Sequence, residues 1–198
     1  MKQKYLMLSM VLLLMFFLWT FMTFQGTFLM IDSSIYNYIS LYINDFNTLL
    51  MKIITFFGSS LFIISGVIIL LFFSKKHYLK IILMFIGEIM LNNFAKIIIK
   101  RDRPNILPLV IEKSFSYPSG HAMISTFFYF FLIYFLLNLS ISKNKKILLS
   151  FICLLFIFLI CFSRIYLGVH YFSDIIGGIL LGLSYFYFCF YFYQKKRI

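Results

Sequence analysis

Apolar residues run along this chain in long blocks, and the polar residues collect between them. Six blocks approach the roughly 17–25 residues that an α-helix needs to cross a bilayer. They fall at Tyr5–Phe24, Leu49–Phe73, Leu79–Ile99, His121–Leu139, Ile147–Phe162 and Ser173–Tyr193. The fifth is the shortest and has room to extend at either end. A further segment has a different rhythm: Ile31, Ile35, Tyr38, Ile39, Tyr42, Ile43 and Phe46 recur at helical spacing on one face. It predicts a short amphipathic helix in the membrane interface, within the first outer loop, with Asp32, Ser33 and Ser34 as candidate caps. Pro104, Pro108 and Pro118 all fall in one stretch and none lies in a block, so residues 101–118 read as a structured loop. The expected fold is all-α: an integral-membrane bundle of six transmembrane helices plus the interfacial helix, forming one domain over residues 1–198.

Composition sharpens this reading. With 63% hydrophobic residues and a mean hydropathy of +0.98, the chain carries more apolar surface than a soluble domain of its length can hide. The net charge of +12 sits between apolar runs and forms no continuous stripe, which argues against a nucleic-acid partner. Lys2 and Lys4, then Lys75, Lys76 and Lys80, then Lys143, Lys145 and Lys146, then Lys195, Lys196 and Arg197 fall on alternate connections, hence on one face. Positive charge marks the cytoplasmic side, so both termini are expected inside the cell membrane. The first block is long for a signal core and is followed by Gln25-Gly26-Thr27, with no cleavage pattern, so it reads as a retained span. Lys52, Lys96, Lys100, Arg101, Arg103, Lys113 and Arg164 fall on or near the outer side, against the orientation rule, and need another reason to be there. Cys153, Cys161 and Cys189 read as apolar packing residues; the solvated His77 sits in an inner basic loop.

Three polar groups interrupt the outer ends of the third to sixth spans: Lys96-x6-Arg103-Pro104, Pro118-Ser119-Gly120-His121, and Ser163-Arg164-x5-His170-x3-Asp174. Phosphoryl transfer needs fixed cations and donors aimed at the oxygens around phosphorus. Lys96, Arg103 and Arg164 are the cations, and arginine suits forked contact with phosphate. Ser119 and Gly120 open the fourth helix, whose free N–H groups favour an anion. His170 and Asp174 are four apart, so Asp174 can accept the Nδ1 proton and leave Nε2 free to attack. His121 is then the proton donor. No cluster has metal-ligand spacing, and no metal or other cofactor is expected. Singly, each feature has a plainer explanation: a snorkelling cation, a helix cap, a surface His–Asp pair. Their convergence at one membrane face is what carries the functional reading.

These eleven positions resemble the three-part signature of the type 2 phosphatidic acid phosphatase family, which shares a superfamily with the vanadium haloperoxidases. The resemblance implies a six-span lipid phosphatase with His170 as the phosphohistidine, Asp174 orienting it, and His121 protonating the leaving group and then activating water. It implies Lys96, Arg103, Ser119, Gly120 and Arg164 as phosphate ligands. The stretch 114–121 is similar to small bacterial members, among them phosphatidylglycerophosphatase B-type enzymes and undecaprenyl pyrophosphate phosphatases. The expected partner is therefore a phospholipid or isoprenoid phosphate in the bilayer, with phosphatidylglycerophosphate favoured over undecaprenyl pyrophosphate. An anion transporter is disfavoured because no proline breaks a span, and a soluble haloperoxidase because six spans are present. Glu88, Asn92 and Asn93 lie with Lys96 on the third span and are candidates either for orienting Lys96 and contacting a headgroup or for a buried polar patch. Gly178 and Gly182 predict close helix packing on the sixth.

Overall fold

The computed structural model describes residues 2–73, 78–106 and 108–194. Lys75, Lys76, Lys195, Lys196, Arg197 and His77, read above for orientation and solvation, lie outside the described residues. Among the described residues eight helices form in order: α1 (Lys2–Phe24), α2 (Leu29–Ser40), α3 (Asp45–Phe56), α4 (Ser60–Phe73), α5 (Tyr78–Ile99), α6 (Gly120–Leu137), α7 (Lys143–Tyr166) and α8 (Phe172–Gln194). Six stretches are long and apolar enough to cross a membrane, with α3 and α4 making one of them, Asp45–Phe72. Half of each of the α6 and α8 spans is buried, against 17% for α1, so α6 and α8 form the centre of the bundle. They pack on each other, α7 packs on α6, α1 on α8, and α3 on α7.

The small residues of α8 allow this centre to close. A Cβ at Gly178 would stand 2.6 Å from the Ser119 carbonyl oxygen, and one at Gly182 would stand 2.8 Å from that of Met123. The expected close packing is thus made within the chain, against α6. Cys153, Cys161 and Cys189 are buried free thiols, as their apolar settings suggested.

Three sequence expectations are corrected. The amphipathic face does not belong to one helix: α2 ends at Ser40, Tyr42 and Ile43 lie in the turn, and Phe46 is already in α3. The polar run Asn44-Asp45-Phe46-Asn47 is a helix start, because the Asn44 side chain accepts the Asn47 N–H at 2.9 Å. The second crossing therefore begins four residues earlier than its apolar block and breaks between Phe56 and Ser60. Asp32 is no cap either. The N-cap position of α2 is Phe28, and Asp32 is buried one turn further on.

Antiparallel pairing of α1 with α8 sets the ends of the bundle. Ser9 bonds to Ser184 and Tyr5 packs on Phe190, while Trp19 donates to the Ser173 carbonyl at 3.0 Å. The start of α1 and the end of α8 thus share one end of the bundle. The opposite end gathers the C-terminus of α5, the N-terminus of α6, the C-terminus of α7, the N-terminus of α8 and the loop 101–118.

Candidate active site

Each polar group reaches that end by a local rule. The α5 helix stops where Lys100 adopts a left-handed φ of +50°, and the chain turns into the loop. The loop is stitched back by Ser116 N–H to the Arg101 carbonyl at 2.8 Å and by Leu109 N–H to the Leu167 carbonyl at 3.0 Å. Ser119 caps α6, its hydroxyl accepting the Ala122 N–H, and its own N–H donates to the Asp174 carbonyl at 3.1 Å. That last bond ties the Pro118-Ser119-Gly120-His121 turn directly to α8.

A cavity of about 210 Å³ opens here, lined by His121 and His170 together, with Lys96, Arg103 and Gly120. Glu88, Asn92 and Asn93 continue its wall along α5. A Cβ on Gly120 would meet the Asn92 side-chain oxygen at 3.1 Å, so the absent side chain is what lets the turn approach α5. A larger apolar cavity of about 950 Å³ lies among α2, α3, α6, α7 and α8 and contains none of the candidate residues. We place the chemistry in the smaller one, because an apolar wall cannot hold an oxyanion.

His170 is fully enclosed. Its Nδ1 lies 3.4 Å from an Asp174 oxygen and 3.4 Å from the Ser116 hydroxyl, and its Nε2 lies 3.4 Å from an Arg103 nitrogen. Burial pulls the imidazole down to about 4; the hydrogen bond and charge of Asp174 oppose this, and Arg164 and Arg103 reinforce it. The ring is therefore neutral at neutral pH. Asp174 accepts from the Ser116 hydroxyl, from the Tyr171 N–H at 2.9 Å and from Arg101 at 2.5 Å.

The three cations sit around the same cavity. Lys96 donates to the Phe115 carbonyl. Arg103 is braced by the carbonyls of Ser114 at 2.8 Å and Val169 at 2.6 Å, and burial draws its guanidinium below the ordinary arginine value. Arg164 is buried, donates to the Thr55 hydroxyl at 2.8 Å and pairs with Glu112. Glu112 also lines the cavity, with its other oxygen 3.9 Å from Arg103. Asp174, Ser119 and Arg164 stand behind the wall rather than on it. Glu88 is buried with both carboxyl oxygens unpartnered, and Asn92 donates to the Met123 sulfur at 3.3 Å. No metal-binding group of His, Cys, Asp or Glu occurs among the described residues.

Sequence reasoning missed Glu112, Ser116, Arg101 and Asp32. Three of them had a readable signal. The chain has only six acidic residues, and Arg101 lies two positions before Arg103 on the side that the charge rule leaves unexplained. Ser116 had none, since a loop serine is ordinary.

A bilayer-spanning helical bundle that brings two imidazoles and two cations to one cavity, with a third cation and the His170 carboxylate partner behind its wall, is suited to phosphoryl chemistry at a membrane. The PAP2 superfamily pattern matches residues 77–198, and the chain belongs to that superfamily as an integral-membrane lipid phosphatase. It is 39% identical over 141 residues to phosphatidylglycerophosphatase B of Bacillus subtilis, covering 68% of this chain and 69% of that one. It is 34% identical over 106 residues to sphingosine-1-phosphate phosphatase 2 of Mus musculus, covering 51% of this chain and 28% of that one. Its fold matches the crystal structure of a transmembrane PAP2-type phosphatidylglycerolphosphate phosphatase from Bacillus subtilis with a TM-score of 0.88 and 32% identity, over 96% of this chain and 97% of that one. Aquifex aeolicus LpxE shares the fold alone, with a TM-score of 0.65 at 23% identity over 79% of this chain and 93% of that one.

Proposed function

We propose that this chain hydrolyses the terminal phosphate of phosphatidylglycerophosphate through a phosphohistidine on His170, without a metal ion. The names of the two Bacillus subtilis relatives support the lipid. The observation that carries the mechanism is the neutral, enclosed His170 ring, held between Asp174 and Arg103 on a cavity it shares with His121.

The Nδ1–H of His170 donates to Asp174, which fixes the tautomer that carries a lone pair on Nε2. Nε2 attacks phosphorus, the N–P bond forms as the bond to the lipid oxygen breaks, and His121 gives that oxygen a proton. Water then attacks phosphorus, His121 takes its proton, the N–P bond breaks, and inorganic phosphate leaves with His170 restored. Lys96 and Arg103 hold the phosphoryl oxygens from the cavity wall, Arg164 joins them from behind it by exchanging Glu112 for the phosphate, and Ser119 and Gly120 present the α6 N-terminus. Glu88, Asn92 and Asn93 position Lys96 or meet the headgroup. Residues 1–198 act as one domain.

The site faces the outside of the cell membrane, with both termini in the cytoplasm. Lys4 and Lys80, and Lys143, Lys145 and Lys146, support this, since they belong to the end of the bundle opposite the site. The lipid substrate comes from the bilayer.

The test is phosphate release by purified protein in detergent with excess EDTA, comparing phosphatidylglycerophosphate, undecaprenyl pyrophosphate and phosphatidic acid. Phosphatidylglycerophosphate is expected to turn over fastest, with vanadate inhibition and no activity in His170→Ala. Full activity of His170→Ala would remove the mechanism, and preference for the pyrophosphate would remove the substrate assignment.

A further inference from the structure

The carboxylate that orients His170 is itself held by a second group of residues outside the family signature. Arg101 follows the left-handed turn at Lys100 and its side chain is 13% exposed. One guanidinium nitrogen donates to Asp174 Oδ1 at 2.5 Å and to the Ser173 hydroxyl at 2.7 Å. The other donates to Asp32 Oδ2 at 3.0 Å. Asp32 reaches in from α2 and accepts the Ser173 N–H at 2.8 Å and the Ser173 hydroxyl at 2.5 Å, in the first turn of α8. The guanidinium carbon also lies over the Tyr171 ring, 4.2 Å from its centroid.

We propose that Arg101 is a positioning residue for the His170–Asp174 pair, fixed in turn by Asp32, so that α2 acts on the chemistry through one guanidinium. This rests on the assignment of His170 as the nucleophile.

The physical case is one of geometry and charge. Asp174 has two oxygens and two tasks. Oδ2 faces His170 Nδ1, Ser116 and the Tyr171 N–H, so those contacts fix one oxygen only. Arg101 fixes the other, and a carboxylate held at both oxygens cannot swing about its Cβ–Cγ bond. Two buried carboxylates, Asp32 and Asp174, share the single Arg101 cation. With the cation absent, Asp174 exerts its full negative charge on His170, which favours the imidazolium and removes the attacking lone pair. The other charged or titratable groups facing His170 are Arg164 from α7, Arg103 from the loop and His121 from α6, and none of these pairs with Asp32.

The variants are Arg101→Gln, Arg101→Lys and Asp32→Asn, with His170→Ala as control. Each is purified in detergent, shown folded by its thermal transition, and assayed for phosphate release from phosphatidylglycerophosphate with kcat and KM separated. The His170 imidazole is followed by nitrogen NMR across pH. Arg101→Gln is expected to lose about ten- to a hundredfold in kcat, because a misplaced reacting group costs on that order. KM should stay within about twofold, since the phosphate ligands are untouched. The His170 ring should protonate at higher pH than in the wild type. Arg101→Lys should restore part of kcat, and Asp32→Asn, which removes the anchor of Arg101 but not its charge, should lower kcat less than Arg101→Gln while the His170 ring protonates at no higher pH than in the wild type. A folded Arg101→Gln protein with wild-type kcat and wild-type His170 titration overturns the proposal. Where Arg101→Gln does not fold, the same result in both Arg101→Lys and Asp32→Asn overturns it. Full activity in His170→Ala overturns the nucleophile assignment and this proposal with it, whereas an inactive His170→Ala beside unchanged Arg101 and Asp32 variants overturns this proposal alone.

Discussion

Replacing Glu112 with Gln should tighten the site's hold on an oxyanion while weakening the fold of the free protein. In the free protein Glu112 is the anion on Arg164 and stands 3.9 Å from Arg103, on the cavity where the phosphoryl group has to go. Any entering phosphate has to compete with it. Two unit charges about 4 Å apart, the separation of Glu112 from Arg103, interact by about 4 kcal/mol at an effective dielectric constant of about 20. The net effect is smaller, because Gln retains a neutral hydrogen bond to Arg164 and because the Glu112 side chain, 28% exposed, is partly solvated. A gain of about 1.4–2.8 kcal/mol, or ten- to a hundredfold in affinity, is the expected range. The assay is inhibition by inorganic vanadate, which mimics the pentacoordinate phosphoryl group. The inhibition constant should fall by that factor in Glu112→Gln. The thermal transition without anion should also fall, since Arg164 is 2% exposed and loses its only counter-charge among the described residues, and vanadate should restore it. A folded Glu112→Gln protein that binds vanadate no better than wild type would show that Glu112 does not compete for the oxyanion site.

The His170 ring should stay neutral well below the ordinary histidine range and take up its proton only near pH 4, which nitrogen NMR of the imidazole reads directly; protonation at about 6.5 would contradict the enclosed, cation-flanked setting. The sign for stability follows: as pH falls below the ordinary value the unfolded chain binds a proton that the folded chain refuses, so the thermal transition should drop between the two values. Gly178→Ala places a Cβ 2.6 Å from the Ser119 carbonyl oxygen, so the α6–α8 contact has to open. A destabilisation of about 1–3 kcal/mol and loss of turnover are expected, and wild-type melting with wild-type turnover would refute the contact.

Much of this molecule was legible because the bilayer makes long apolar blocks obligatory and makes charged residues among them conspicuous. All six crossings and the meeting of Lys96, Arg103, Gly120, His121 and His170 on one cavity follow from blocks and their interruptions. The misreadings share a different cause. Asn44 and Asp45 fall inside the helical pattern that runs to Phe46, yet they start a new helix and sit ahead of its apolar block, as capping residues do. Asp32 looks like a cap for the same reason, but the partner that decided its role lies 69 positions away, and spacing rules see only a few turns.

That contrast bears on how the site is held. Most signature residues stand on helix ends or within a few residues of them, where periodicity and capping make them visible. Most of their supports come from one connection, which supplies Arg101, Glu112 and Ser116, and Asp32 is added from the short helix α2. Loop residues are free to bond across the fold because no ladder claims their backbone. In a bundle whose helices bury mostly apolar faces, the connections are therefore where polar support for a charged centre has to come from. The same reasoning explains why residues 101–118 hold all three prolines, since a loop that braces four helix ends must keep one shape.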